Sequence, residues 1–88
     1  MYEAVEFIEV TGEVTPRETT LGVSEDELEA VGLARMARRE FFAGGSSDYA
    51  WWIVREEGAS LASFIADSKS DKEFVLDLRS GELVEVPG

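Results

Sequence analysis

The residues of this chain that could do chemistry are almost all carboxylates. Its 88 residues include 19 Asp and Glu against eight Lys and Arg, and they include no histidine and no cysteine. The sequence therefore lacks the usual proton shuttle near neutral pH, the usual nucleophilic thiol and the common ligands of zinc. Catalysis by a pair of carboxylates remains, as in glycoside hydrolysis, but no pair stands out from the others. We predict that the protein is not an enzyme and uses no cofactor.

One acidic segment, residues 67–73, has an oxygen-rich spacing that invites comparison with a calcium-binding loop. It departs from an EF-hand loop because Lys69 stands at the third position and Lys72, rather than glycine, stands at the sixth. Strands rather than helices are predicted on both sides of it. A solvated polar loop is therefore the preferred interpretation, and the sequence predicts no metal site.

The formal net charge of −11 is the feature of the sequence that best indicates the kind of partner. A negative surface repels phosphate backbones and anionic lipid headgroups, and it attracts basic proteins. We therefore expect a basic protein surface as the partner, with no direct nucleic-acid binding and no membrane binding. The longest apolar run, around Ala50 to Val54, is far too short to span a bilayer, so we expect a cytoplasmic protein.

The charge is concentrated near the N-terminus, where residues 1–30 carry nine carboxylates against one cation, Arg17. An acidic strand followed by an acidic helix start would present one continuous negative surface. A protein that reads phosphates with Lys and Arg would bind such a surface as a nucleic-acid mimic. The predicted partner-binding residues are Glu3, Glu6, Glu9, Glu13, Glu25, Asp26, Glu29, Trp51 and Trp52.

Trp51 and Trp52 are adjacent on a predicted strand, so their side chains must point to opposite faces of the sheet. One enters the core beneath the helix, and the other lies on the far face. Both faces of this region carry apolar residues, whereas one helix is available to cover them. Three outcomes remain open. The far face is an aromatic binding patch, it is covered by loops or by the segment Val10 to Val23, or it forms a homodimer.

The order of the elements predicts a single α+β domain spanning residues 1–88. A helix from Ser24 to Ala43 is predicted by a capping box, in which the Ser24 hydroxyl would accept from the amide of Glu27. We expect it to pack on one face of a three- to five-stranded, mainly antiparallel sheet in the order β-α-β-β-β-β. The predicted core residues are Val5, Phe7, Ala30, Ala34, Ala37, Phe41, Phe64, Phe74, Leu76 and Leu78, with one tryptophan.

The predicted strands are Tyr2 to Val10, Tyr49 to Arg55, Ser60 to Ala66, Glu73 to Leu78 and Leu83 to Val86, with Pro87 ending the last. Thr15-Pro16 is predicted to end regular pairing after the first strand. A two-residue turn at Ser80-Gly81 is predicted before the last strand.

The sequence thus predicts a small acidic binding protein that docks on a basic surface of a protein partner. A nucleic-acid-mimicking inhibitor of a defence or DNA-processing complex, of the anti-CRISPR or anti-restriction type, is its more specific form. The alternative is a salt-adapted accessory or structural domain whose acidity serves solubility, including a homodimer through the second sheet face.

Overall fold

The structure, a computed structural model, describes residues 1–59 and 61–86. These ranges contain one helix and six strands. In chain order they are β1 (Tyr2–Glu9), β2 (Arg17–Ser24), α1 (Glu27–Ala43), β3 (Tyr49–Glu56), β4 (Ala62–Asp67), β5 (Glu73–Leu76) and β6 (Leu83–Glu85). The predicted class, one helix packed on an antiparallel sheet, is confirmed.

All six strands form one antiparallel sheet in the order β2-β1-β3-β4-β5-β6. β1 lies between β2 and β3, so α1 connects two strands that flank β1 and run parallel to each other. The helix packs against these three strands. β2 and β6 form the edges of the sheet.

Small side chains bring the helix close to the sheet. Ala30, Val31 and Ala34 are buried on the face of α1 that meets the strands, as their helical spacing predicts. Gly22 on β2 contributes to the same close approach, because a Cβ at this position would lie 2.6 Å from Cδ1 of Leu33. The alanine-rich stripe therefore sets a short distance between the two layers.

The main core lies between α1 and the sheet. Its strand residues are Ala4, Ala50, Trp52, Val54, Phe64 and Ala66, and Phe41 and Ala37 of the helix pack against them. The predicted core residues Ala30, Ala34, Ala37, Phe41 and Phe64 are confirmed in this layer, and Trp52 is the tryptophan that enters it.

Four of the predicted core residues lie on the other face of the sheet: Val5, Phe7, Phe74 and Leu76. Val5 is fully buried there, whereas the other three are partly buried. The reason is strand alternation, because Val5 pairs with Ile53 and Phe74 pairs with Ile65, out of phase with Trp52 and Phe64.

The segment after Pro16 contains a strand that the sequence did not predict. Arg17–Ser24 pairs with β1 in antiparallel register and forms one edge of the sheet. Leu21 is an extra residue in this pairing, since Ala4 faces Gly22 while Val5 faces Thr20. The expectation that the segment Val10 to Val23 folds over the second face is therefore wrong for residues 17–23, which lie within the sheet. The sheet has six strands rather than three to five, in the chain order β-β-α-β-β-β-β.

The helix begins later than predicted, and its cap is a different residue. α1 starts at Glu27, and the Asp26 side chain accepts a hydrogen bond from the amide of Leu28 at 3.0 Å. The Ser24 hydroxyl accepts instead from the amide of Asp26 and donates to Glu29. Ser24 is held at the end of β2, opposite Tyr2, which moves the cap two residues along the chain.

The predicted turn at Ser80-Gly81 is wider in the structure. The amide of Asp77 donates to the carbonyl of Glu82, and the amide of Gly81 donates to the carbonyl of Asp77. β5 therefore ends at Leu76, and Leu78 is 90% exposed rather than in the core. The predicted strand start at Ser60 and the predicted stop at Pro87 lie outside the described residues.

Candidate partner-binding face of the sheet

Strand alternation gives the sheet a second apolar face, opposite α1, which we name the open face. Its apolar residues are Val5, Phe7, Val23, Tyr49, Trp51, Ile53, Ile65, Phe74, Leu76 and Leu83. Val5, Ile53, Ile65 and Phe74 form one continuous row across β1, β3, β4 and β5. The one helix in the described ranges packs on the opposite side, so the described part of the chain supplies no second helical layer here.

An aromatic row lies next to this aliphatic row. Phe7 and Trp51 face each other across β1 and β3 and stack with a centroid separation of 5.1 Å and an interplanar angle of 9°. Tyr49 lies 5.5 Å from Trp51, centroid to centroid. Its hydroxyl donates to Asp67 Oδ2 at 3.4 Å. Partial burial, with the charge of Asp67 beside it, raises the pKa of the Tyr49 hydroxyl above its ordinary value.

Carboxylates stand at the ends of this aromatic row. Glu18 on β2 is directly opposite Phe7, Asp67 on β4 is directly opposite Trp51, and Glu9 is opposite Tyr49. Glu9 and Glu18 are exposed. Asp67 is held in place, because its Oδ1 accepts from the amides of Lys69 and Ser70. The open face therefore combines an apolar centre with an anionic rim.

Three cations of the chain lie beside this face and already have partners. Lys72 pairs with Glu85, which is opposite Phe74, with 3.9 Å between Nζ and Oε2. Arg55 forms an ion pair with Glu3, with 2.6 Å between Nε and Oε1. The ammonium of Lys69 lies 4.8 Å from the centroid of the Tyr49 ring. Glu9 and Glu18 form no ion pair within the described ranges, so their charge is available to an outside cation.

The structure divides the predicted partner-binding residues between the two sides of the sheet. Glu3, Glu9 and Trp51 belong to the open face. Glu6 and Trp52 belong to the helix side, where the indole Nε1 donates to Glu6 Oε2 at 2.8 Å. Trp52 is fully buried and cannot contact a partner, so its prediction as a binding residue is wrong.

The remaining predicted acids lie at the ends of the molecule. Glu13 is in the β1–β2 connection and pairs with Arg17. Glu25, Asp26 and Glu29 surround the start of α1. The predicted negative surface is therefore spread over the open-face rim, the β1–β2 connection and the helix start, and Glu9 of the rim and Glu13 of the connection line one cavity.

Carboxylates near the helix start affect the pKa of the Tyr2 hydroxyl. The carboxylate of Glu27 raises the pKa of the Tyr2 hydroxyl above its ordinary value, with burial and the charge of Glu56 acting in the same direction. These carboxylates are thus close enough to interact with one tyrosine, on the side of the sheet away from the open face.

Two cavities open on the described surface, and one of them borders the open face at Glu9 and Tyr49. One, of about 490 Å³, lies between the β1–β2 connection and the loop before β3 and is lined by Glu9, Glu13 and Asp48 among other residues. The other, of about 320 Å³, lies beside Arg35, Arg38 and Phe42. In the described ranges no group of three acids is arranged to hold a metal ion, and no helix is long and apolar enough to cross a membrane.

Comparison with known protein families, with curated proteins and with solved structures found no match for this chain.

The sequence indicated Trp51, Glu3 and Glu9 of the open face but not Glu18 and Asp67. Glu18 and Asp67 join the aromatic row because of cross-strand register, which a single sequence does not specify. The position of Glu18 could not be predicted, because Glu18 lies on β2, a strand that the sequence did not indicate. Asp67 was assigned to a polar loop, although its position after the apolar alternation of Phe64 and Ala66 was the available signal.

Proposed function

We propose that the protein is a small acidic binding protein, not an enzyme, that docks its open face on a basic surface of a protein partner. One observation carries the proposal: the Phe7–Trp51 stack lies on a helix-free face with carboxylates opposite both rings. Aromatic residues surrounded by polar groups are typical of binding hot spots. An anionic rim selects a cationic partner and speeds its approach.

The charge favours a basic partner over a second copy of this chain. A homodimer through the open face would bring together two chains that each carry −11, with the same carboxylates at both rims. Like-charge contacts oppose that association unless salt screens them. A basic partner removes this repulsion and gains ion pairs to Glu9 and Glu18.

Binding to a basic protein surface does not require the protein to imitate a nucleic acid. A nucleic-acid mimic would need its carboxylates to follow the spacing of phosphates on one surface. The acids predicted for that role are not all on one surface, because Glu6 lies on the helix side while Glu3 and Glu9 lie on the open face, so the mimic is a narrower hypothesis with less support. Binding to a DNA-processing or defence complex through its basic protein surface is included in the general proposal.

A role of the acidity in solubility is the second candidate. It is supported by the exposed carboxylates that lie away from the open face, in the helix and the turns: Glu25, Glu29, Glu40, Glu57 and Glu82. Charges at such positions keep a small domain soluble without contacting a partner, as in a salt-adapted protein.

Site-specific photo-crosslinking tests the proposal. A photoreactive phenylalanine analogue replaces Trp51 on the open face or, as the control, Met36, which is 57% exposed on the helix. In the cells that naturally make the protein, we expect position 51 to capture a basic protein that position 36 does not. Equal capture from both positions, or capture of a second copy of this chain, would contradict the proposal.

Purified components then complete the test. Glu18→Gln on the open face should weaken binding to the captured partner, and the effect should diminish as salt rises. Glu40→Gln, which removes the same charge from the helix, is the matched control and should weaken binding less. Equal weakening by the two variants would mean that only net charge matters.

A further inference from the structure

We infer, on the basis of the proposed function, that the open face recognises arginine side chains of its partner in preference to lysine. The inference concerns the row Glu18–Phe7–Trp51–Asp67, which crosses β2, β1, β3 and β4. Residues directly opposite in antiparallel strands have Cα atoms about 4.5–5.5 Å apart. Each of the two stacked rings therefore has a carboxylate as its immediate cross-strand neighbour.

A guanidinium group satisfies both features of this row at once. Its flat face stacks on an aromatic ring, while its N–H donors point outward in the same plane and can reach a carboxylate beside the ring. An ammonium group is a compact and strongly hydrated charge. It can contact the ring or the carboxylate, but it lacks a planar face with donors at its edge.

The chain's own arginines show this combination in the same structure. The guanidinium of Arg35 lies 5.7 Å from the centroid of the Phe64 ring and donates to both oxygens of Glu73. Arg38 lies 5.3 Å from the centroid of Phe42 and donates to the backbone carbonyls of Asp67 and Ser70. In both cases, one guanidinium group contacts an aromatic ring and also donates hydrogen bonds from the edge of its plane.

Lys69, the lysine beside the aromatic row, differs from these arginines in the expected way. Lys69 lies over the ring of Tyr49, but within the described ranges no carboxylate is at ion-pair distance from its ammonium. Arg55, the arginine on this face, is paired with Glu3 at the other end of β3. The Phe7–Trp51 stack is therefore an aromatic pair with adjacent carboxylates to which the described chain supplies no arginine.

Calorimetric titration with two capped peptides, hexa-arginine and hexa-lysine, tests the inference at one fixed ionic strength. The two probes carry equal charge, so a difference between them reports on the chemistry of the cation. We expect hexa-arginine to bind at least about threefold more tightly, as one additional cation–π contact would produce. Trp51→Leu should remove the preference, and Trp51→Phe, which keeps a ring, should retain much of it.

The outcomes separate this inference from the proposed function. The arginine preference is overturned if the protein binds the two peptides with equal affinity. If Glu18→Gln nevertheless binds both peptides more weakly than Glu40→Gln does, the proposed function is still supported. If neither peptide binds Glu18→Gln more weakly than it binds Glu40→Gln, the proposed function is overturned as well. A preference for arginine that persists in Trp51→Leu contradicts the assignment to this row.

Discussion

Phe7 and Trp51 stack across two neighbouring strands, with ring planes 9° apart, on the side of the sheet that α1 does not cover. The next residue, Trp52, lies on the opposite side beneath the helix, in an edge-to-face contact with Phe41. Two adjacent tryptophans therefore have different roles, one in the core and one in the surface that we propose for binding.

The two tryptophans should differ in their contribution to stability. Trp52→Ala leaves a large cavity in a fully buried site and is expected to cost about 3–5 kcal/mol of unfolding free energy. Trp51→Ala removes a partly buried ring and its stack with Phe7, so its cost should be smaller by at least about 1 kcal/mol. Urea denaturation of both variants measures the difference. Equal costs would mean that the open face is covered in the folded protein.

Leu78, which is exposed, and Phe64, which is buried, should also differ in their contribution to stability. Leu78→Ala should change the unfolding free energy by no more than about 0.5 kcal/mol, because the side chain is 90% exposed in the loop after β5. Phe64→Ala removes a buried ring and should cost about 3–5 kcal/mol. A large loss from Leu78→Ala in thermal or urea denaturation would show that β5 continues to Leu78, as its alternating sequence predicts.

The helix cap is testable at Asp26. Asp26→Ala removes the acceptor for the amide of Leu28 and should destabilise the protein by about 1 kcal/mol. Asp26→Asn keeps an oxygen in the same place and should cost much less, which makes it the matched control. If Asp26→Ala were neutral in chemical denaturation, the cap would lie elsewhere, for example at Ser24.

The Arg35–Glu73 pair should make stability depend on acid pH. Hydrogen bonds from Arg35 hold the pKa of the Glu73 carboxyl below its ordinary value of 4.5. The folded state therefore binds the Glu73 proton less readily than the unfolded state does. The stabilisation is complete above pH 4.5 and is lost as pH falls through the lower pKa of the folded state.

Glu73→Gln measures this contribution. The pair is partly exposed, with 47% of the Arg35 side chain accessible, so we expect it to contribute about 1 kcal/mol or less near neutral pH. The difference in unfolding free energy between the wild type and the variant should shrink as the solution is acidified below pH 4.5. A difference that stays constant or grows on acidification would contradict the assigned direction.

The fold class was predictable because its signals are local. The alanine stripe around Ala34, the acidic helix start and the aromatic and β-branched run of β3 all lie within short windows of sequence. β2 was missed because its residues Arg17–Ser24 are mostly polar or exposed, as is usual for an edge strand paired on one side. Pro16 only precedes that strand and does not prevent it.

The candidate site was predictable only in part, because it depends on long-range register. That Trp51 and Trp52 face opposite sides follows from the strand alone, but which one faces the helix depends on how β3 aligns with β1 and β4. The same register placed Glu18 and Asp67 beside the aromatic stack. The separation of Glu6 from Glu3 and Glu9, by contrast, follows from side-chain alternation within β1 alone.

The decisive measurement is to locate where a cationic ligand binds, because we propose that the open face is the binding surface. Backbone amide shifts of the ¹⁵N-labelled protein, recorded by NMR during titration with hexa-arginine, locate the contact residue by residue. We predict that the largest changes fall on the open face, around Phe7, Glu18 and Trp51, and diminish as salt is added. Largest changes at the helix start, around Glu25 and Glu29, or small changes spread over all exposed carboxylates, would contradict the account.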